Sequence, residues 1–136
     1  MKDITITALV EAPIEKVWAY WTQPEHIVQW NHASDDWYCP RATNDLVKGG
    51  EFHYFMAAKD GSVSFDFNGM YEDVRPEQSI DYFIEDGRKV SVIFQSEGSG
   101  VRVTSTFEPE EVNSMELQKA GWQAILDNFK KHAENQ

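Results

Sequence analysis

Apolar and polar positions alternate from the start of the chain. Ile4, Ile6, Ala8 and Val10 stand against Asp3, Thr5, Thr7 and Leu9, a mostly period-two pattern that predicts a strand. Ala12-Pro13 then opens a helix, because proline at the first helical position loses an N–H that had no partner there. The pattern carries it to about Trp21 and buries Val17, Trp18 and Trp21. Thr22-Gln23-Pro24-Glu25 has the spacing of a capping box, with Thr22 accepting from the first turn and Glu25 reaching back. It predicts a second short helix ending near Trp30.

From Asn31 the period changes. Turn signals recur at Gly49-Gly50, Asp60-Gly61, Arg75-Pro76-Glu77, Asp86-Gly87 and Glu97-Gly98-Ser99-Gly100. Between them run Phe52/Tyr54/Met56, Val63/Phe65/Phe67, Ile80/Tyr82/Ile84, Val90/Val92/Phe94 and Val101/Val103 through Phe107. Short alternating runs joined by tight glycine turns describe an antiparallel meander. Asp36 to Asn44 supplies a further strand, which makes about six after the helix pair. The acidic stretch 108–111 leads to a final helix of about 20 residues and roughly 30 Å. Asn113 is its expected N-cap with Glu116 three residues on, and Lys130-Lys131-His132 suits its C-terminal dipole. The stripe of that helix is Met115, Trp122, Ile125, Leu126, Phe129 and Ala133, beside Gly121 and Ala124, and the inner face of the meander is the surface expected to receive it. The order β-α-α-β(6)-α is an α+β fold, read as a single domain over residues 1–136.

Composition narrows the function classes. The chain of 136 residues carries 12 Lys+Arg against 23 Asp+Glu, a formal charge of −11, so a phosphate-backbone partner is not expected. Apolar residues at 41% and aromatics at 13%, with five Trp, argue against disorder. No run reaches the roughly 18 apolar residues of a membrane span, and MKDITITALVEAP has no signal-peptide core. The single Cys39 excludes an internal disulfide and fits a reducing cytoplasm. His26, His32, His53, His132 and Cys39 have no metal-ligand spacing, and no P-loop, dinucleotide fingerprint or nucleophile elbow is present, so no metal or cofactor is expected.

The element order, APIEKVW at 12–18, QWNHASDDWYCPRATNDLVKGGEF at 29–52 and the closing GWQ at 121–123 resemble the START-like, helix-grip superfamily. Within it the chain is most similar to the C-terminal domain of the activator of Hsp90 ATPase. The resemblance implies a curved antiparallel sheet wrapped around the last helix, with a cavity between them. It also implies binding of lipids, sterols, polyketides, hormones or other apolar molecules, and in some members cyclisation or hydrolysis. One fold with many uses requires that function be argued from the site.

Three groups of residues carry the candidate chemistry. Periodicity places Trp18, Trp21, Trp30, Trp37, Phe52, Tyr54, Phe65, Phe67, Tyr82, Phe94, Trp122 and Phe129 on inward faces, where aromatics ordinarily form core. Trp30, Trp37, Tyr54, Met56, Phe65, Phe67, Tyr82, Phe94, Trp122 and Ile125 are the expected lining of an apolar-ligand pocket, with Tyr54, Tyr82 and Trp122 offering hydrogen-bonding tips. His32, in Trp30-Asn31-His32-Ala33-Ser34-Asp35-Asp36-Trp37, is a candidate ligand-orienting or acid–base group; the alternative is a loop whose carboxylates are solvated. Asp66 and Asn68 are expected on the solvent face, opposite Phe65 and Phe67. The functional expectation is a small-molecule binding module. A chaperone-binding protein with an acidic docking surface and an enzyme using the same cavity are the alternatives, and homodimerisation stays open.

Overall fold

Alternation that buries every second residue builds the first strand, β1 (Ile4–Val10), in the computed structural model, which describes residues 3–136. Two short helices follow, α1 (Ile14–Thr22) and α2 (Pro24–Trp30). Six strands then run β2 (Trp37–Asn44), β3 (Glu51–Ala58), β4 (Ser64–Arg75), β5 (Ser79–Ile84), β6 (Lys89–Glu97) and β7 (Gly100–Phe107). The last element is α3 (Met115–Glu134), 20 residues long. All strand pairs are antiparallel in one seven-stranded sheet of order β1-β7-β6-β5-β4-β3-β2. The element order is the β-α-α-β(6)-α read from the pattern.

Three caps differ from the sequence expectation. Pro13 is the N-cap of α1 and not its first residue, with extended backbone at φ −70° and ψ 155°. Thr22 ends α1, and its hydroxyl donates 2.8 Å to the Trp18 carbonyl, so it is unavailable to start α2. Gln23 takes that N-cap without a side-chain bond, and Pro24 follows at the first position. At α3 the N-cap is Ser114, whose Oγ accepts from Leu117 N at 3.1 Å, while the Asn113 amide donates to Glu110 Oε1 at 2.6 Å. Competing local acceptors decided these positions, since serine and asparagine are near-equal caps. Met115, read as part of the buried stripe, is exposed.

The sheet bends at two irregularities. Register shifts between Tyr38 and Arg41 in β2 and between Tyr71 and Asp73 in β4 break the ladder. Pro40 sits in the first of them, on an edge strand, where its missing N–H is tolerated. Gly69 permits close packing: a β-carbon there would run into the Phe83 carbonyl and lie 2.8 Å from the Phe52 ring. Phe52, 1% exposed, thus lies flat over β4.

The helix α3 packs chiefly on β1 and touches α1 and α2. Its side chains also cover the open edge of β1: Gln123 donates to the Thr7 carbonyl at 3.2 Å and Lys130 to the Leu9 carbonyl at 2.7 Å, while Glu134 accepts from Glu11 N at 2.9 Å. Unpaired strand groups that would template aggregation are thereby occupied. Phe129 is fully buried, edge-on to Trp21 and Trp30 at centroid distances of 4.8 and 5.1 Å. Its burial contributes about 1.5–3 kcal/mol. Because α3 lies over the β1 side, the concave surface of β3, β4 and β5 is left without a helix directly on it.

Candidate functional site

That uncovered concavity is a cavity of about 260 Å³. Each wall follows from strand alternation. β3 contributes Phe52, Tyr54 and Met56, β4 Phe65, Phe67 and Tyr71, and β5 Ile80 and Tyr82. Ile6 and Ser105 form part of the floor, and Trp21, Trp30, Asn31, Trp122, Ile125 and Leu126 close it from the helices. Phe65, 50% exposed, sits at the rim. An engineered apolar cavity of about 150 Å³ accepts a benzene ring, so this volume accommodates an apolar body of roughly one to two rings.

The polar groups are few and fixed. Tyr71 donates its hydroxyl to Asn44 Oδ1 at 2.5 Å, and Asn44 Nδ2 donates to the Thr22 carbonyl at 2.8 Å, which ties β4 to β2 and to the end of α1. Trp30 Nε1 donates 3.0 Å to the Tyr20 carbonyl, and Asn31 Nδ2 donates to the Met56 thioether at 3.2 Å. Burial pushes the Tyr54, Tyr71 and Tyr82 phenols above their ordinary range, with the neighbouring phenols adding to the effect on Tyr54 and Tyr82. All three therefore stay neutral at physiological pH and keep their protons for donation.

The structure brings Trp30, Tyr54, Met56, Phe65, Phe67, Tyr82, Trp122 and Ile125 around one space. It leaves three expected lining residues outside. Phe94 is enclosed by α1, edge-on to Trp18 at 5.3 Å and Trp21 at 5.7 Å. Trp37 lies edge-on to Phe65 at 5.7 Å and does not line the cavity. His32 does not line it either; its carbonyl accepts from Asn128 Nδ2 at 2.5 Å, and its buried Nδ1 has no partner among the described residues. Among the described residues no carboxylate is hydrogen-bonded to that ring. Trp122 stacks on Phe107 at 3.9 Å and meets Phe67 edge-on at 6.3 Å, and the cavity persists beside this contact.

Sequence reasoning placed Trp21 and Phe52 on inward faces but not in the lining, and missed Ile6, Asn31, Tyr71, Ile80, Arg88, Ser105 and Leu126 as cavity lining altogether. Extending the alternation of Phe65 and Phe67 by two more steps reaches Tyr71, and the β1 and β5 patterns already hold Ile6 and Ile80. Nothing in the pattern marks Arg88 or Ser105. Asp66 and Asn68 face outward as their alternation requires. Asp66 Oδ2 meets His53 Nδ1 at 2.8 Å, and Asn68 Nδ2 donates to Glu85 at 2.6 Å. Cys39 is buried, and that burial raises its thiol pKa. Among the described residues no three His, Cys, Asp or Glu side chains are placed to hold a metal ion, and no helix is long and apolar enough to cross a membrane.

Comparison with known proteins places this geometry in context. The family model described as activator of Hsp90 ATPase homolog 1-like protein matches residues 11–134. The solution structure of an AHSA1-like protein from Aeromonas hydrophila is 45% identical, with a TM-score of 0.93 over 98% of this chain and 92% of that one. A solution structure from Cytophaga hutchinsonii is 51% identical, with a TM-score of 0.85 over the same 98% and 92%. A Nitrosomonas europaea crystal structure, 20% identical over 98% of this chain and 95% of that one, shares the fold with a TM-score of 0.84. No curated protein matches.

Proposed function

The chain belongs to the activator of Hsp90 ATPase homolog 1-like family, and on that premise we propose that it binds an apolar or aromatic small molecule between α3 and the sheet. The observation that carries this reading is the cavity of about 260 Å³ walled by Phe52, Tyr54, Phe65, Phe67, Tyr82 and Trp122. An apolar concavity with a few convergent polar groups is the ordinary form of a small-molecule site. Burial of an aromatic ligand there is favourable at about 25 cal/mol per Å² of apolar surface removed from water.

Native mass spectrometry of gently purified protein, with denaturing extraction of whatever is bound, tests the reading. The expected result is a stoichiometric small molecule, or, for protein that purifies bare, a thermal shift with members of an apolar ligand panel. Bare protein that no apolar compound stabilises would overturn it.

A second reading comes from the family description, which names an activator of Hsp90 ATPase. The charge of −11 supports an acidic surface that meets a basic face on a chaperone and speeds encounter electrostatically. It predicts capture of purified Hsp90 that weakens as salt rises. Absence of capture at low salt would remove it.

A further inference from the structure

The cavity wall is not chemically neutral. Among its lining residues Arg88 alone carries a formal charge, and that charge is positive in a protein whose net charge is −11. Arg88 lies in the β5–β6 turn, where its own carbonyl accepts from Ile84 N at 3.0 Å. Two bonds hold the guanidinium: Nε donates to Asp86 Oδ2 at 2.8 Å and Nη1 to the Glu108 carbonyl at 3.2 Å. A guanidinium has five N–H donors, so these contacts fix the fork and leave donors over. Its side chain is only 22% exposed.

The nearby polar groups have the same sense. Strand pairing sets Tyr82 opposite Val90, two residues from Arg88, and Val90 opposite Phe107, on which Trp122 stacks. Arg88, Tyr82 and Trp122 therefore share one end of the cavity. All three present N–H or O–H donors, and no carboxylate lines the space. A neutral hydrocarbon would leave this end unanswered, whereas a ligand oxygen with negative charge would satisfy it.

Resting on the small-molecule reading above, we infer that the cavity selects an aromatic carboxylate of one to two rings, the ring body among Phe52, Phe67 and Tyr54 and the carboxylate on Arg88 with Tyr82 as second donor. The acidic exterior does not forbid this. Surface charges act weakly beyond a screening length of about 8 Å at physiological salt, so the charges that govern the anion are those nearest the turn: Arg88, its partner Asp86, and Glu108, whose carboxylate accepts from Lys89 N at 2.6 Å. Charge-assisted bonds to a planar fork are the strong kind and give orientation as well as affinity.

Matched probe pairs test it: benzoate against toluene, and 2-naphthoate against 2-methylnaphthalene, titrated calorimetrically into the intact protein. The acid of at least one pair is expected to bind about tenfold more tightly than its hydrocarbon, as a retained charged hydrogen bond requires. Arg88→Gln should abolish that preference while hydrocarbon binding stays within about twofold, which also reports that the variant is folded. Tyr82→Phe, which removes only a hydroxyl, should weaken the acid about threefold and leave the hydrocarbon unchanged. Asp86→Asn, which releases Arg88 from its carboxylate, should tighten the acid about threefold. Hydrocarbons that bind as well as or better than their acids would overturn this inference and leave the small-molecule reading standing. Failure of both members of both pairs would overturn the two together.

Discussion

At the scale of single residues, placement in the fold decides which side chains have chemistry left to offer. His132 illustrates this. Its Nε2 lies 2.9 Å from His26 Nδ1, and the Tyr20 ring packs against both imidazoles at 4.6 and 5.9 Å. Gln136 approaches its other nitrogen at 3.4 Å. Burial first, and then the charge of His26, lower the pKa of His132 from 6.5. A histidine held neutral by the fold contributes stability that is fully present above the unfolded value of about 6.5 and is lost as pH falls through the lower folded value. Thermal unfolding should therefore show a smaller loss of Tm between pH 7 and pH 5 in His132→Gln than in the native chain. Equal losses would mean the pair does not contribute. His53 has the opposite sign: Asp66 and then Glu51 raise its pKa, so its contribution is present at low pH and fades as pH rises through the raised value. Neither histidine was assigned such a role from sequence, because the partners lie 106 residues away on another helix in one case and 13 away on the next strand in the other.

At the scale of elements, periodicity was the legible signal and end chemistry the illegible one. Most strands and the long helix were readable from apolar spacing, since burial of one face is a property of the segment itself, whereas α2 was read from end chemistry and β2 only from its place in the meander. Caps were not, because several neighbouring polar side chains compete for the same backbone groups. The start of α3 shows what settles that competition. Gln118 is 7% exposed, and its amide makes three bonds to the preceding loop: Oε1 accepts from Glu110 N at 2.8 Å, and Nε2 donates to the Glu110 and Asn113 carbonyls at 3.1 and 2.9 Å. This clasp folds the loop back and leaves Ser114, not Asn113, facing the first turn. Gln118→Ala should cost about 1–3 kcal/mol, because it strips partners from groups that the fold partly shields. Hydrogen exchange at the Glu110 amide should rise sharply while the β1–β7 ladder stays protected. An unchanged Glu110 amide would show that the loop is held by other contacts.

At the scale of the whole molecule, the cavity exists because a straight helix of 20 residues cannot cover a curved seven-stranded sheet. It is anchored to the open edge of β1, and the strands farthest from that edge curl away from it. Filling the gap should therefore be possible without loss of the fold. Ile125→Trp, at a half-buried wall position, is expected to keep or raise Tm, since cavity filling commonly adds about 0.5–2 kcal/mol. The same change should abolish binding of any ligand found in the cavity; retained binding would place the ligand elsewhere. The amino-acid sequence by itself determined the order of elements, the antiparallel meander, the family and most of the aromatic wall. These depend on local alternation and on side-chain volume, which are written along the chain. Only the tertiary structure decided that Phe94 and Trp37 lie outside the cavity, that the buried His32 Nδ1 has no partner among the described residues, and that Arg88 lines the cavity wall. Those outcomes depend on where the sheet bends and which edge the helix grips, and contacts between residues far apart in sequence set both.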